Sequence, residues 1–308
     1  MASTPLRSAL HTDQLLSNVA VKYENKNFIY DKLFPMVPVK KQTDLYRTYD
    51  RNWVIPETTR AIGGLAREHV FSIGTASYSL GKQALKSYIP DSAAENYDIT
   101  DLKADVTLDL VEKIKMKMET DCAANFLTTS SWSLNASLGG DELWVTTTST
   151  PIKDFDTATS VIIANSGQQP NVALAPQAVY VALKNNSSIA DRVKYTSREM
   201  TPAIISGLLG IDEFLIGVTH SDSSLYGASV ASGAVTNVWG SNSAWVGYRA
   251  PSPGFFQLSS GYMFARPKPM VKSWRDEERE ATAVEVDQEY QFKIVASLTG
   301  YFMNGVIA

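Results

Sequence analysis

Acid–base or nucleophilic chemistry in this chain would have to come from three histidines and one cysteine. His11, His69 and His220 lie far apart. None forms the H-E-x-x-H pair that holds zinc on one helix face, and none sits beside Cys122 in a recognisable nucleophile–base pattern. His69 and Cys122 read instead as a surface or satisfied histidine and a small buried thiol. Gly81-Lys82 would end a phosphate-binding loop, but Ala76 and Gln83 stand where that loop needs glycine and a hydroxyl. Neither G-x-S-x-G nor G-x-G-x-x-G is present. The acidic run Asp276-Glu277-Glu278-Arg279-Glu280 has the charge to hold a cation, yet it reads as a solvated turn before a strand. One cysteine excludes an internal disulfide framework and a cysteine-rich zinc site. These residues predict a structural or binding protein rather than an enzyme, with no cofactor and no metal.

The 308 residues suffice for one large domain or two to three small ones. With 44% hydrophobic and 19% charged residues, the composition is globular, which excludes a disordered or collagen-like chain. The balance of 28 Lys+Arg against 32 Asp+Glu leaves a net charge of −4 and gives no reason to expect nucleic-acid binding. No run approaches 18 apolar residues, so no transmembrane helix is expected. The opening Met1-Ala-Ser-Thr-Pro-Leu-Arg lacks the apolar core of a secretory signal. On that reading Asn135-Ala-Ser and Asn186-Ser-Ser are chance sequon matches.

The elements then follow from periodicity and punctuation. Residues 1–20 read as an extended arm. Pro35 and Pro38 predict an extended segment over 27–39, since proline fixes φ and disfavours helix before it. Residues 40–86 carry eight cations (Lys40, Lys41, Arg47, Arg51, Arg60, Arg67, Lys82, Lys86) against four acids (Asp44, Asp50, Glu57, Glu68), a local net of +4. Tyr46, Tyr49 and Trp53 precede Gly63-Gly64, and Val70, Phe71, Ile73 and Tyr78 follow it. This predicts a long two-stranded hairpin with too few apolar residues to stand alone, either a surface hairpin with solvated charges or an arm that lies across a partner.

Over 99–128, Leu102, Val106, Leu110, Ile114, Met118 and Cys122 recur every four residues, widened by Val111 and Phe126. Thr100 or Asp101 is placed to cap the helix. Roughly 27 residues make about 40 Å of rod at 1.5 Å per residue. Residues 129–150 and 221–243 read as loops. Between them, helices over 154–165, 176–184 and 201–209 alternate with strands at 171–175 and 213–218, a small α/β layer. Short strands follow at 245–248 and 262–264. The alternation of Val284, Val286, Tyr290, Phe292, Ile294, Ala296 and Leu298 predicts a half-buried terminal strand.

Three stretches carry a family likeness. Ala20-Val-Lys-Tyr-Glu-Asn-Lys-Asn-Phe-Ile-Tyr-Asp-Lys-Leu-Phe-Pro-Met-Val-Pro-Val-Lys-Lys-Gln, running on to Tyr46-Arg-Thr-Tyr-Asp-Arg, resembles the opening of tailed-bacteriophage major capsid proteins. Gly167-Gln-Gln-Pro-Asn-Val-Ala-Leu-Ala, Val179-Tyr-Val-Ala-Leu and Ile189-Ala-Asp-Arg-Val-Lys-Tyr are similar to a later stretch of that family. Gly261-Tyr-Met-Phe and the Gly300-Tyr pair follow in the same order.

The resemblance implies an α+β chain with the Hong Kong 97-like phage capsid fold. Its parts would be an N-terminal arm (1–39), an extended loop (40–90), a peripheral domain (91–153 and 271–308) with a spine helix at 101–127, and an axial domain (154–270). It implies a non-enzymatic major capsid protein that self-assembles as hexamers and pentamers into an icosahedral head around double-stranded DNA. Subunit contacts are expected at Phe28, Phe34, Tyr46, Arg47, Tyr49, Arg51, Trp53, Arg60 and Arg67. The expected partners are further copies of the chain, a separate scaffolding protein, portal and decoration proteins, and packaged DNA touched without sequence preference; no membrane is involved. Family-like sequence begins by about residue 20, which leaves no room for a fused scaffolding segment, so assembly is expected to use a separate scaffolding protein or none. The virion is the expected location, after assembly in the host bacterial cytoplasm. Alternative readings are an encapsulin-type compartment shell and a phage receptor-binding or adhesion module.

Overall fold

Two five-stranded sheets share the molecule, and one long helix lies against the first. The computed structural model describes residues 27–48, 58–60, 62–65, 74–92, 102–194, 200–224, 235–253 and 257–307. In chain order, a one-turn helix α1 (Tyr30–Leu33) precedes strands β1 (Met36–Pro38), β2 (Thr43–Thr48), β3 (Gly74–Ser79) and β4 (Gly81–Pro90). The long helix α2 (Leu102–Phe126) and strand β5 (Leu134–Ser137) come next. Then follow α3 (Pro151–Ser166), β6 (Val172–Pro176), α4 (Gln177–Asn185), α5 (Ser187–Val193), α6 (Pro202–Leu209) and β7 (Glu213–Gly217). The chain ends with β8 (His220–Asp222), β9 (Val235–Asn237), β10 (Ser243–Gly247), β11 (Gly261–Ala265), β12 (Met270–Asp276), β13 (Ala281–Ile294) and β14 (Gly300–Asn304).

The stripe read from the sequence is the buried face of α2: Leu110, Ile114, Met118, Cys122 and Phe126 are all buried. Its proposed caps, Thr100 and Asp101, lie outside the described residues. At the other end two side chains serve the terminal carbonyls, Trp132 Nε1 donating to Phe126 O at 2.8 Å and Ser131 Oγ to Asn125 O at 2.8 Å. Helices α3 and α6 each begin on proline and end on a left-handed glycine, Gly167 at φ 67° and Gly210 at φ 65°.

The first sheet runs β1-β11-β13-β12, with β4 also paired to β13. Strand β13 is its spine, because it is the longest strand and its alternation gives two usable faces. Val284, Val286, Tyr290 and Phe292 join the core beneath α2, while Glu285, Asp287 and Glu289 occupy the opposite face. The second sheet runs β5-β14-β10-β6-β7 and packs its own core with α3 to α6. Val172, Leu174 and Trp245, from the second sheet, reach into the first cluster, so the two halves share apolar contacts.

Several expectations change. The segment over 27–39 is not wholly extended: Tyr30–Leu33 forms one helical turn, and Pro35 then enforces the extended backbone seen at Phe34, with φ −116° and ψ 103°. The region 129–150 contributes β5, whose parallel partner is the terminal strand β14. The alternating C-terminal strand ends at Ile294, and Gly300–Asn304 belongs to the second sheet. Strand β11 lies in the first sheet, and β4 pairs with β13 along all 10 of its residues. The sheets therefore draw strands from both sides of the segment boundaries expected at residues 90, 153 and 270. The acidic run forms the β12–β13 turn, with Glu280 at φ 46° just before β13.

Candidate subunit interface

The hairpin is built from β2 and β3, paired antiparallel from Thr43 opposite Ser79 to Thr48 opposite Gly74. Alternation gives β2 two unlike faces. Asp44, Tyr46 and Thr48 are half-buried, whereas Thr43, Leu45 and Arg47 are exposed. The inner face is fastened by aromatics. Tyr78 stacks on Phe264 at 4.7 Å, and Tyr46 packs against the same ring at 5.3 Å, where burial raises its hydroxyl pKa. Outward, Leu45 is 65% exposed, and Ile62 and Leu65, at the distal end, are open to solvent. Arg60 turns its Nε onto Gly64 O at 2.5 Å, and Lys41 pairs with Asp44 at 3.0 Å, holding that carboxyl below its ordinary pKa.

The structure separates the expected contact residues. Arg47 and Arg60 are exposed, and Tyr46 is half-buried on the chain's own Phe264. Tyr49, Arg51, Trp53 and Arg67 lie outside the described residues. Phe28 is half-buried beside Tyr30, with ring centroids 6.3 Å apart. Phe34 corrects the expectation directly: it is 0% exposed. Its ring meets Phe126 edge-on at 5.2 Å and Phe292 at 5.5 Å, so no surface is left for a neighbour. Gly261 accommodates it, since a Cβ there would stand 2.0 Å from Phe34 Cε1.

Sequence reasoning also missed the polar groups that fasten the root. Lys32 lies 3.6 Å from Glu213, while Arg249 reaches Glu213 at 3.2 Å and donates to Lys32 O at 2.5 Å. On the outer face of β13, Asp287 is buried but takes Lys272 at 2.9 Å and Lys82 at 3.0 Å. Burial alone would raise its pKa; the two ammonium groups outweigh that and hold it low. Glu119, fully buried on α2, accepts hydrogen bonds from Ile29, Tyr30, Thr219 and Trp239. A carboxylate among Met118, Cys122 and Ala123 on an apolar stripe was the available signal.

As for candidate chemistry, Cys122 is fully buried, which pushes its thiol well above the ordinary pKa, and His220 is exposed. His11 and His69 lie outside the described residues. Among the described residues no three His, Cys, Asp or Glu side chains gather as a metal site, and no helix is long and apolar enough to cross a membrane.

Comparison with known proteins bears on this architecture directly. The chain matches no family model. It is 20% identical over 307 residues to a major capsid protein of Burkholderia phage BcepMu, covering 96% of both chains. Among solved structures it superposes on a phage-related protein from Bordetella bronchiseptica with a TM-score of 0.73 at 23% identity, covering 92% of this chain and 94% of that one. The capsid structure of cyanophage P-SCSP1u matches at a TM-score of 0.61 and 10% identity, over 98% and 95% of the two chains.

The chain has the Hong Kong 97-like capsid fold. The likeness to phage major capsid proteins read from three stretches between residues 20 and 301 extends along nearly the whole length of the chain. The long helix α2 packs in the first sheet's core, and the β2–β3 hairpin leads directly into that sheet's β4.

Proposed function

We propose that this chain is the major shell-forming subunit of a tailed-phage head. It assembles as hexamers and pentamers into an icosahedral container for double-stranded DNA and works by geometry rather than catalysis. The observation that carries this reading is similarity to a phage major capsid protein across 96% of the chain. The hairpin supports it physically. Leu45, Ile62 and Leu65 are exposed on their own subunit, and a neighbouring copy covers them. Obligate interfaces commonly bury more than ~2,000 Å². At ~25 cal/mol per Å² of apolar surface, that offsets the ordering of a hairpin too thin to stand alone.

In this reading residues 1–39 act as the arm, 40–90 as the extended loop, 91–153 with 271–308 as the peripheral part, and 154–270 as the axial part. Phe28, Tyr46, Arg47, Tyr49, Arg51, Trp53, Arg60 and Arg67 remain the contact set; Phe34 leaves it. Partners are further copies, a separate scaffolding protein, portal and decoration proteins. DNA is touched weakly on the inner face, in keeping with a net charge of −4. The protein resides in the virion after assembly in the host cytoplasm.

The test is negative-stain electron microscopy of the purified chain, sized first by light scattering. Closed shells or rings of five and six are expected. A monomer that persists on co-expression with the neighbouring phage genes overturns the reading. Replacing Trp53 and Arg60 together by alanine is expected to abolish shells; normal shells of unchanged thermal stability would remove both residues from the interface.

A further inference from the structure

Glu119 receives hydrogen bonds from three separate parts of the chain. Oε2 accepts from the backbone N–H of Tyr30 at 3.0 Å and of Ile29 at 3.1 Å, both at the root of the arm. Oε1 accepts from Trp239 Nε1 at 2.6 Å and from Thr219 Oγ1 at 3.3 Å, on the segments beyond β7 and β9. One carboxyl group thus joins the arm root, the long helix and the second half of the molecule. Ile29 and Tyr30 begin helix α1, so the same group satisfies donors that a helix start leaves open.

The donors are not equivalent. The three N–H groups can only donate, whereas the Thr219 hydroxyl can also accept. That hydroxyl lies 3.2 Å from Asn27 O, an acceptor ready to take its hydrogen. Among the described residues no cation pairs with Glu119. Of the titratable groups, Tyr30 on the arm root and Cys122 on α2 interact with it; behind them Asp31 acts on Tyr30, Asp121 acts on Cys122, and the Tyr290 hydroxyl on β13 donates to Asp121 at 2.8 Å. Lys32 turns away to Glu213. His220, next to Thr219, is exposed with Nδ1 at 2.7 Å from Val218 O.

We propose that Glu119 makes the arm root a proton-dependent strap, held more firmly when the carboxyl is protonated and lifted more easily when it is ionised. Protonated on Oε1, Glu119 donates to Thr219 Oγ1, and Thr219 turns its own hydrogen onto Asn27 O. Oε2 still accepts from Ile29 and Tyr30, and the remaining lone pair of Oε1 accepts from Trp239. Every donor stays satisfied and the buried charge is gone. Ionised, the group is a buried charge without a counter-ion, and lifting the strap returns it to water. Burial raises the Glu119 pKa above its ordinary 4.5, and the hydrogen bonds from Trp239, Tyr30, Ile29 and Thr219 only partly oppose that. The closed strap therefore binds the proton more tightly than the open one. Closure strengthens as pH falls from the raised value towards 4.5 and is weakest above that window.

The strap belongs to the single chain, so its test does not depend on shell formation. Amide hydrogen exchange is measured between pH 4.5 and 8, corrected for the intrinsic rate, with strand 281–290 as the internal reference. Protection at Ile29 and Tyr30 is expected to rise as pH falls, by up to about tenfold per pH unit within the window, the slope of one linked proton. The reference strand should not follow. Glu119→Gln has no proton to bind and should flatten the profile. Thr219→Val removes the acceptor that the protonated form needs and should also flatten it. A flat wild-type profile, or a wild-type slope that survives in Glu119→Gln, overturns the proposal. If Glu119→Gln fails to fold, the wild-type and Thr219→Val profiles decide it.

Discussion

The arm root and the hairpin are neighbours in sequence, yet they are held in opposite ways. The root, residues 27–38, is fastened on every side. Phe34 is enclosed by Phe126 and Phe292, β1 pairs in parallel with β11, Lys32 meets Glu213, and Glu119 takes the first two helical N–H groups. Among its described residues, the hairpin that follows is fastened along its inner face, where Tyr46 and Tyr78 share Phe264, and at Ser79, whose N–H donates to Gln291 Oε1 at 2.8 Å. Beyond those contacts it turns Leu45, Ile62 and Leu65 to solvent. The contrast separates two jobs that the sequence presents alike, as aromatic-rich segments near prolines and cations. The root fixes a subunit's shape, and the hairpin offers surface to something outside it.

Substitutions at the root should therefore cost stability within the subunit. Phe34→Ala empties a closed aromatic site and is expected to cost about 3–5 kcal/mol, read as a lowered denaturant midpoint of the subunit. A loss below about 1 kcal/mol would put Phe34 back on an interface. Trp239→Phe keeps an aromatic ring, though a smaller one, and removes the shortest hydrogen bond to Glu119. A bond to a charged group is worth about 1.5–3 kcal/mol, so an intermediate loss is expected in the same measurement.

Legibility in the sequence follows the same division. The long helix, the helices read at 154–165 and 201–209, and the alternation of β13 were visible because each depends on local periodicity or punctuation. The hairpin was visible from Tyr46 and Tyr78 flanking Gly63-Gly64. What stayed hidden depends on pairing at a distance. Leu134–Ser137 reads as loop until β14, more than 160 residues on, lies beside it. Phe34 reads as an interface aromatic until Gly261 makes room for it. The helical turn at Tyr30 is hidden because the group that accepts its first N–H, Glu119, sits 89 residues away.

Asp287 gives a smaller effect with a defined pH sign. Its folded pKa is depressed by Lys272 and Lys82, so its contribution is present above the ordinary carboxylate value of 3.8 and is lost as pH falls through the folded value. Because both ammonium groups are about half exposed, the contribution should be modest. Thermal unfolding followed from pH 6 to pH 3 should show an acid loss that Asp287→Asn lacks. An equal acid loss in both proteins would mean that the pairs on the outer face of β13 do not couple to folding.

The hairpin should give the smallest effect on the subunit. Ile62 and Leu65 touch little of their own chain, so replacing both by serine should move subunit stability by no more than about 0.5 kcal/mol. The same change removes apolar surface that a neighbouring copy would bury, and assembly should fail or shift to higher protein concentration in light scattering. The pairing of those two results is what distinguishes hairpin from root. At Phe34 a lost shell would follow from a weakened subunit, whereas here the subunit stays intact while the shell is lost. Shells that form at the wild-type concentration would show that Ile62 and Leu65 stay uncovered in the assembly, and would leave the contact to Leu45 and Arg47 on the outer face of β2 and to the rest of the proposed contact set.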